Sequence, residues 1–156
     1  RDTLAPPNTA QTRINALVEL MKTETAGGER LIDNPIYKDR LMKIQGRVLA
    51  MKYNDMRVLS SRLNPGQDAS LSRMITKLQG TELRHELEGL AIDIMGEVGL
   101  SYDDNPHLRG AGSWQREYMY YLGLIIGGGT SQIQKNIISE RGLGMPREPK
   151  IEKKAV

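Results

Sequence analysis

Between Leu71 and Ile94 the residues Leu71, Met74, Ile75, Leu78, Leu83, Leu87, Leu90 and Ile94 recur at near-helical spacing with no proline among them. No other feature constrains the fold as much, because a long helix with one apolar stripe must bury it against further layers of structure. The flanking sequence offers helices for that purpose. Ile14, Leu17, Val18 and Met21 fall at three- and four-residue intervals in a helix predicted from Thr9 to about Thr25, stopped by Gly27 and Gly28. Asp33 or Asn34 can cap a second helix, with Pro35 in its first turn, where a missing N–H costs nothing. Leu41, Ile44, Val48, Met51 and Leu59 carry its stripe to about Leu63, and Asn64, Pro65 and Gly66 break the pattern.

In the third helix Lys77, Glu82, Arg84, Glu86 and Glu88 read as the wet side, and Gly80 and Gly89 as candidate close helix contacts. Gly96 to Ser113 reads as a loop, with turn chemistry from Asp103, Asp104, Asn105, Pro106, Gly110 and Gly112. Trp114 to about Ile126 is apolar and aromatic enough for a shorter buried helix. After the glycines Gly127 to Gly129, Thr130 can cap a last helix, Ser131 to about Arg141, with Ile133, Ile137 and Ile138 on one side and Gly142 and Gly144 at its end. No strand is expected. The fold class predicted is all-α, an antiparallel bundle of about five helices over residues 9–145, after an extended lead-in at 1–8 and before a polar tail at 146–156.

Composition narrows the chemistry. The 156 residues suit one domain, and with no Phe and one Trp its core must come from Leu, Ile, Met and Val. The methionines Met42, Met51, Met56, Met74 and Met95 are expected as core filler. Without cysteine there is neither a disulfide framework nor a thiolate site. His85 and His107 lack metal-ligand spacing, so no metal is expected. The net charge of +3 comes from interspersed signs, which implies no nucleic-acid partner. No apolar run reaches the roughly 20 residues of a membrane span, and RDTLAPPNTAQ has no signal-peptide pattern. The cytoplasm is the expected location, or the mitochondrial matrix in a eukaryote. Trp114, Tyr118, Tyr120 and Tyr121 read as a packing cluster, Arg116 as half of a structural ion pair, and Glu82 and Glu86 as an ordinary solvated face.

A glycine-rich turn entering a capped helix leaves backbone N–H groups unpaired beside the positive end of the helix dipole. GGGTSQ at Gly127 to Gln132 therefore suits a phosphate or pyrophosphate, with Thr130 and Gln132 adding side-chain bonds. It is neither a Walker loop nor a dinucleotide fingerprint, and most turns of this kind bind nothing.

The order of residues says more. GGTSQIQKNIISERGLGMPR at Gly128 to Arg147 resembles the closing signature of acyl-CoA dehydrogenases. Shorter likenesses lie at LIDNPIYKDRL (Leu31 to Leu41), KLQGTEL (Lys77 to Leu83) and WQREYMYY (Trp114 to Tyr121). The resemblance implies the helical C-terminal domain of such an enzyme, with the upstream flavin and acyl-CoA domains lying outside this sequence. It implies FAD as cofactor, touched by Thr130 and Gln132 with the backbone of Gly129 close by. It also implies an acyl-CoA substrate, an electron-transfer partner such as a flavoprotein acceptor, and a homo- or hetero-oligomer.

In that family a glutamate removes the α proton of the thioester while flavin N5 takes hydride from the β carbon, and this base often sits two residues before the Thr. Here Gly128 holds that position, so no catalytic residue is assigned in this sequence. Some members carry the base on the first helix of the domain, a position that would fall close to or before Arg1. Others, including heteromeric enzymes resembling those of steroid side-chain degradation, have a subunit without a base. TAGGERLIDNP, at residues 25–35, also lacks the Phe of the family's Phe-Gly pair, which reaches the flavin of a neighbouring subunit. Three functions therefore stand: the C-terminal domain of an acyl-CoA dehydrogenase, a silent flavin-holding subunit of a heteromeric one, or a stand-alone helical binding module.

Overall fold

The computed structural model describes residues 7–64, 66, 68–102, 105–147 and 149. The expectations placed on residues 1–6, Pro65, Asp103, Asp104, 148 and 150–156 lie outside them. Five α-helices carry the described structure: α1 (Pro7–Thr23), α2 (Pro35–Leu63), α3 (Ser70–Met95), α4 (Ser113–Ile126) and α5 (Ser131–Ile137). The last continues through a wider π turn, Ile138–Gly142. The all-α bundle is as expected. α1 starts at Pro7, so the extended lead-in stops short of Asn8; proline's missing N–H is harmless at a first helical position.

The bundle is built around α3, which packs against α1, α2, α4 and α5. Leu83, Leu87, Leu90, Ala91 and Ile94 of α3 meet Ile14, Leu17 and Met21 of α1, Leu41, Ile44 and Val48 of α2, and Trp114 of α4. Each fully buried Leu or Ile in this cluster contributes about 2 kcal/mol. α2 begins where the sequence predicted: Asn34 Oδ1 accepts from the N–H of Ile36 and Tyr37, and Pro35 occupies the first turn. Gly89 is the close contact expected of it, since a Cβ there would come 3.3 Å from the Tyr118 ring, whereas Gly80 faces open space.

Several expectations fail for identifiable reasons. Gly27 and Gly28 do more than stop α1. Both take positive φ, and together they close a small hairpin, β1 (Thr25–Ala26) with β2 (Glu29–Arg30), where no strand was expected. The predicted loop from Gly96 to Ser113 contains two short 3-10 turns, Gly96–Leu100 and Arg109–Gly112. α4 is amphipathic instead of buried: Trp114, Gln115 and Tyr121 face inward, while Met119, Tyr120, Leu122 and Ile126 are exposed. The far end of α2 also outruns its cover, leaving Tyr53, Met56, Leu59 and Leu63 exposed. Met42 and Met56 are therefore surface residues, whereas Met95 is core, and Met51 and Met74 are half-buried. Arg116 is exposed and makes no ion pair among the described residues.

The largest departure is the supposed wet side of α3. Glu88 is fully buried and Arg84 nearly so. Arg13 of α1 grips Glu88 in a bidentate pair at 2.7 to 3.0 Å, and Arg84 approaches the same carboxylate at 3.3 Å. Arg13 lies 3.5 Å from the centre of the Trp114 ring and donates to Ser113 Oγ, so one guanidinium binds α1, α3 and α4 together. Arg84 also reaches Glu117 and lies over Tyr121. Burial pushes the Glu88 carboxyl above the usual carboxylate range, while the two guanidinium groups draw it back.

Arg13→Met is accordingly expected to cost about 3 kcal/mol of stability at neutral pH, because it leaves a buried carboxylate with one weak partner. Glu88's raised value makes the folded chain hold this proton more tightly than the unfolded one, so its contribution falls as pH rises through that value. The cost of Arg13→Met should thus shrink as pH is lowered towards the carboxylate range, as urea unfolding of wild type and variant at several pH values would read.

Candidate functional site

Of the residues singled out by sequence, Gly129 and Thr130 sit on the turn between α4 and α5, where the chain leaves one helix and enters the next, and Gln132 lies in the first turn of α5. Gly127 ends α4 with an N–H donated to the Gly123 carbonyl at 2.9 Å. Gly128 and Gly129 then take φ of +71° and +102°, a left-handed path that explains the glycines. Thr130 caps α5 as predicted: its Oγ accepts from the Ile133 N–H at 3.4 Å. Its hydroxyl proton has no acceptor among the described residues. Gln132 is exposed and likewise uncommitted.

Two consecutive carbonyls of the turn are held by side chains. Lys77 of α3 places its ammonium 2.6 Å from the Gly129 oxygen and 3.0 Å from that of Ile125, in the last turn of α4. Gln134 Nε2 donates to the Gly128 oxygen at 2.8 Å. A third anchor joins the helices themselves, as Ser131 Oγ donates to Glu82 Oε1 at 2.7 Å. Further along, Gly142 lies so near α3 that a Cβ there would meet Leu71 at 2.8 Å.

With both carbonyls taken, the N–H groups of Gly128 and Thr130 find no backbone acceptor among the described residues, whereas that of Gly129 closes the turn back onto the end of α4. The face they leave open combines these donors with the Thr130 hydroxyl and the Gln132 amide. That donor set suits an acceptor-rich, anionic group such as a pyrophosphate. Position 128 offers room as well as charge neutrality, since a Cβ at Gly128 would meet nothing within 4 Å. It holds no group able to take a proton. Among the described residues no cluster of His, Cys, Asp or Glu could hold a metal ion, and no helix is long and apolar enough to cross a membrane.

Sequence reasoning placed Thr130, Gln132 and Gly129 together but missed what secures them. Lys77 was read as solvent-facing and Glu82 as having no chemistry, yet both reach the turn. The available signal was KLQGTEL, which shares the family likeness with GGTSQ; nothing in one dimension joins the two segments. His85 stacks on Tyr118 at 4.3 Å, a packing role, and Glu86 pairs with Arg47 across the α2–α3 contact.

Residues 5–143 match a family model described as acyl-CoA dehydrogenase, C-terminal domain. The chain is 34% identical over 134 residues to acyl-CoA dehydrogenase IpdE1 of Mycolicibacterium smegmatis, covering 86% of this chain and 30% of that protein. It is 31% identical over 128 residues to acyl-CoA dehydrogenase FadE26 of Mycobacterium tuberculosis, covering 80% of this chain and 32% of that one. Among solved structures, the ChsE4-ChsE5 complex from Mycobacterium tuberculosis superposes with a TM-score of 0.78 at 28% identity, over 95% of this chain and 38% of the matched one. The chain spans about a third of the length of these relatives.

The two glycines are expected to differ on substitution. Gly128→Ala should cost about 1 kcal/mol, from positive φ alone. Gly129→Ala should cost more, because its Cβ would come 2.9 Å from the Gln134 amide and dislodge it from Gly128. Thermal unfolding of the two variants side by side measures the difference.

Proposed function

The chain belongs to the acyl-CoA dehydrogenase family, and on that premise we propose that it is the helical C-terminal domain of a flavoprotein that introduces a double bond between the α and β carbons of an acyl-CoA. The glycine turn carries this reading. Two of its carbonyls are engaged by Lys77 and Gln134, and the N–H groups of Gly128 and Thr130, with the side chains of Thr130 and Gln132, are left for a ligand. Gly129, Thr130 and Gln132 would hold FAD there, binding acceptor atoms of the cofactor and fixing its position against the bundle. FAD, when bound, supplies the hydride acceptor of the reaction.

This domain's own contribution is binding and orientation. With glycine at 128 it offers no base at that position, so the α proton must go to a carboxylate elsewhere in a longer chain or in a partner subunit. Gly128 thus also favours a second reading, in which the domain belongs to a flavin-holding subunit whose partner supplies the base. A relative solved as the ChsE4-ChsE5 complex supports assembly with a different subunit. The uncovered apolar side chains of α2 and α4, among them Tyr53, Leu59, Met119 and Ile126, support burial against further domains or subunits. Reduced flavin would pass its electrons to a separate acceptor, a flavoprotein in our reading.

In the full-length protein, Thr130→Ala combined with Gln132→Ala is expected to weaken FAD binding about tenfold or more, the scale of one or two lost hydrogen bonds. Equilibrium titration of apoprotein with FAD reads the change. Affinity equal to wild type would remove this turn from the cofactor site.

A further inference from the structure

We infer that Lys77 is a positioning residue for the cofactor turn, setting the direction of the Gly129–Thr130 peptide so that its N–H faces the ligand. The inference rests on the FAD reading above and adds a residue with which that reading made no ligand contact. In a trans peptide the C=O and N–H point in opposite directions, so whatever holds one end aims the other. Lys77 holds the Gly129 oxygen at 2.6 Å, which draws it towards α3 and turns the Thr130 N–H away from α3.

The same ammonium binds the Ile125 oxygen at 3.0 Å, in the last turn of α4, where carbonyls lack helical partners and the helix dipole is negative. One side chain therefore fixes the end of α4 relative to the turn that follows it. A compact ammonium with several donors can sit between two converging carbonyls, whereas a planar guanidinium is too broad to bind both in the same way. Lys77 is half-buried and has no carboxylate partner among the described residues, so within the protein its charge is met by these carbonyl dipoles. A site built to stabilise the bundle alone would gain from an acid at this point. A site that receives an anionic group would gain from leaving the charge unpaired. Glu82, bonded to Ser131 from the same helix, fixes the start of α5 and completes the frame.

The test uses the full-length protein carrying Lys77→Met or Lys77→Arg, with three readouts: FAD affinity by titration of apoprotein, apoprotein melting temperature, and amide hydrogen exchange at Gly129 and Thr130 in the FAD-bound protein. Lys77→Met is expected to weaken FAD binding about tenfold or more and to speed exchange at those two amides, the scale of a lost charge-assisted hydrogen bond. Lys77→Arg, which keeps the charge but not the two-carbonyl grip, should fall between it and wild type. Both apoproteins should keep wild-type helix content. Wild-type FAD affinity in Lys77→Met, while the Thr130→Ala and Gln132→Ala protein loses FAD, overturns the role of Lys77 and leaves the site reading intact. Wild-type affinity in all of them overturns both. If Lys77→Met does not fold, Lys77→Arg decides, and wild-type affinity and exchange in that variant overturn the inference.

Discussion

A carboxylate with no exposure to solvent, Glu88, sits at the centre of this bundle and depends on Arg13 for most of its hydrogen bonds. Such a group is tolerable only where the fold delivers a guanidinium at the right place, because an unpaired buried charge costs several kcal/mol. The pair therefore specifies as much as it stabilises. It joins α1 to α3, and through Trp114 and Ser113 it sets α4 against both. Apolar contacts among Leu17, Leu87 and Leu90 supply most of the driving force, but they would permit neighbouring registers that the ion pair forbids.

Fixing the register of α3 has a consequence at its other end. Lys77 and Glu82 lie on the same rigid helix, so the placement that satisfies Glu88 also presents an ammonium and a carboxylate to the turn between α4 and α5. That turn needs such support. Two successive left-handed glycines have little conformational preference of their own, and the short α5 cannot hold their peptides by itself. Core and candidate site are thus coupled through one element, with the energetic weight at Glu88 and the polar frame at Lys77.

How much was legible in one dimension differs by kind of residue. The stripes of α1, α2 and α3 were readable because helical periodicity reports directly on which side chains share a face. The Asn34 cap and the Thr130 cap were readable because capping is local. Burial of Glu88 and Arg84 was not, since a charged residue beside an apolar stripe looks the same whether it faces water or a partner from a remote helix. α4 was misread in the opposite sense: its apolar residues run round the helix, and only the packing shows that Met119 and Tyr120 find no cover among the described residues. The hairpin at Gly27 and Gly28 failed for a third reason, as two residues of pairing leave no alternation to detect.

The sequence by itself determined the family, through the order of residues from Gly128 to Arg147, and with it the all-α class, the helix count and the absence of a base at position 128. These are properties of local chemistry: periodicity, caps, glycine turns, and the identity of a side chain. Tertiary structure alone decided that Arg13 meets Glu88, that Lys77 clasps the oxygens of Ile125 and Gly129, and that Glu82 accepts a hydrogen bond from the Ser131 hydroxyl. Each of these joins segments far apart in the chain, and a hydrogen bond exists only where folding brings donor and acceptor within about 3 Å.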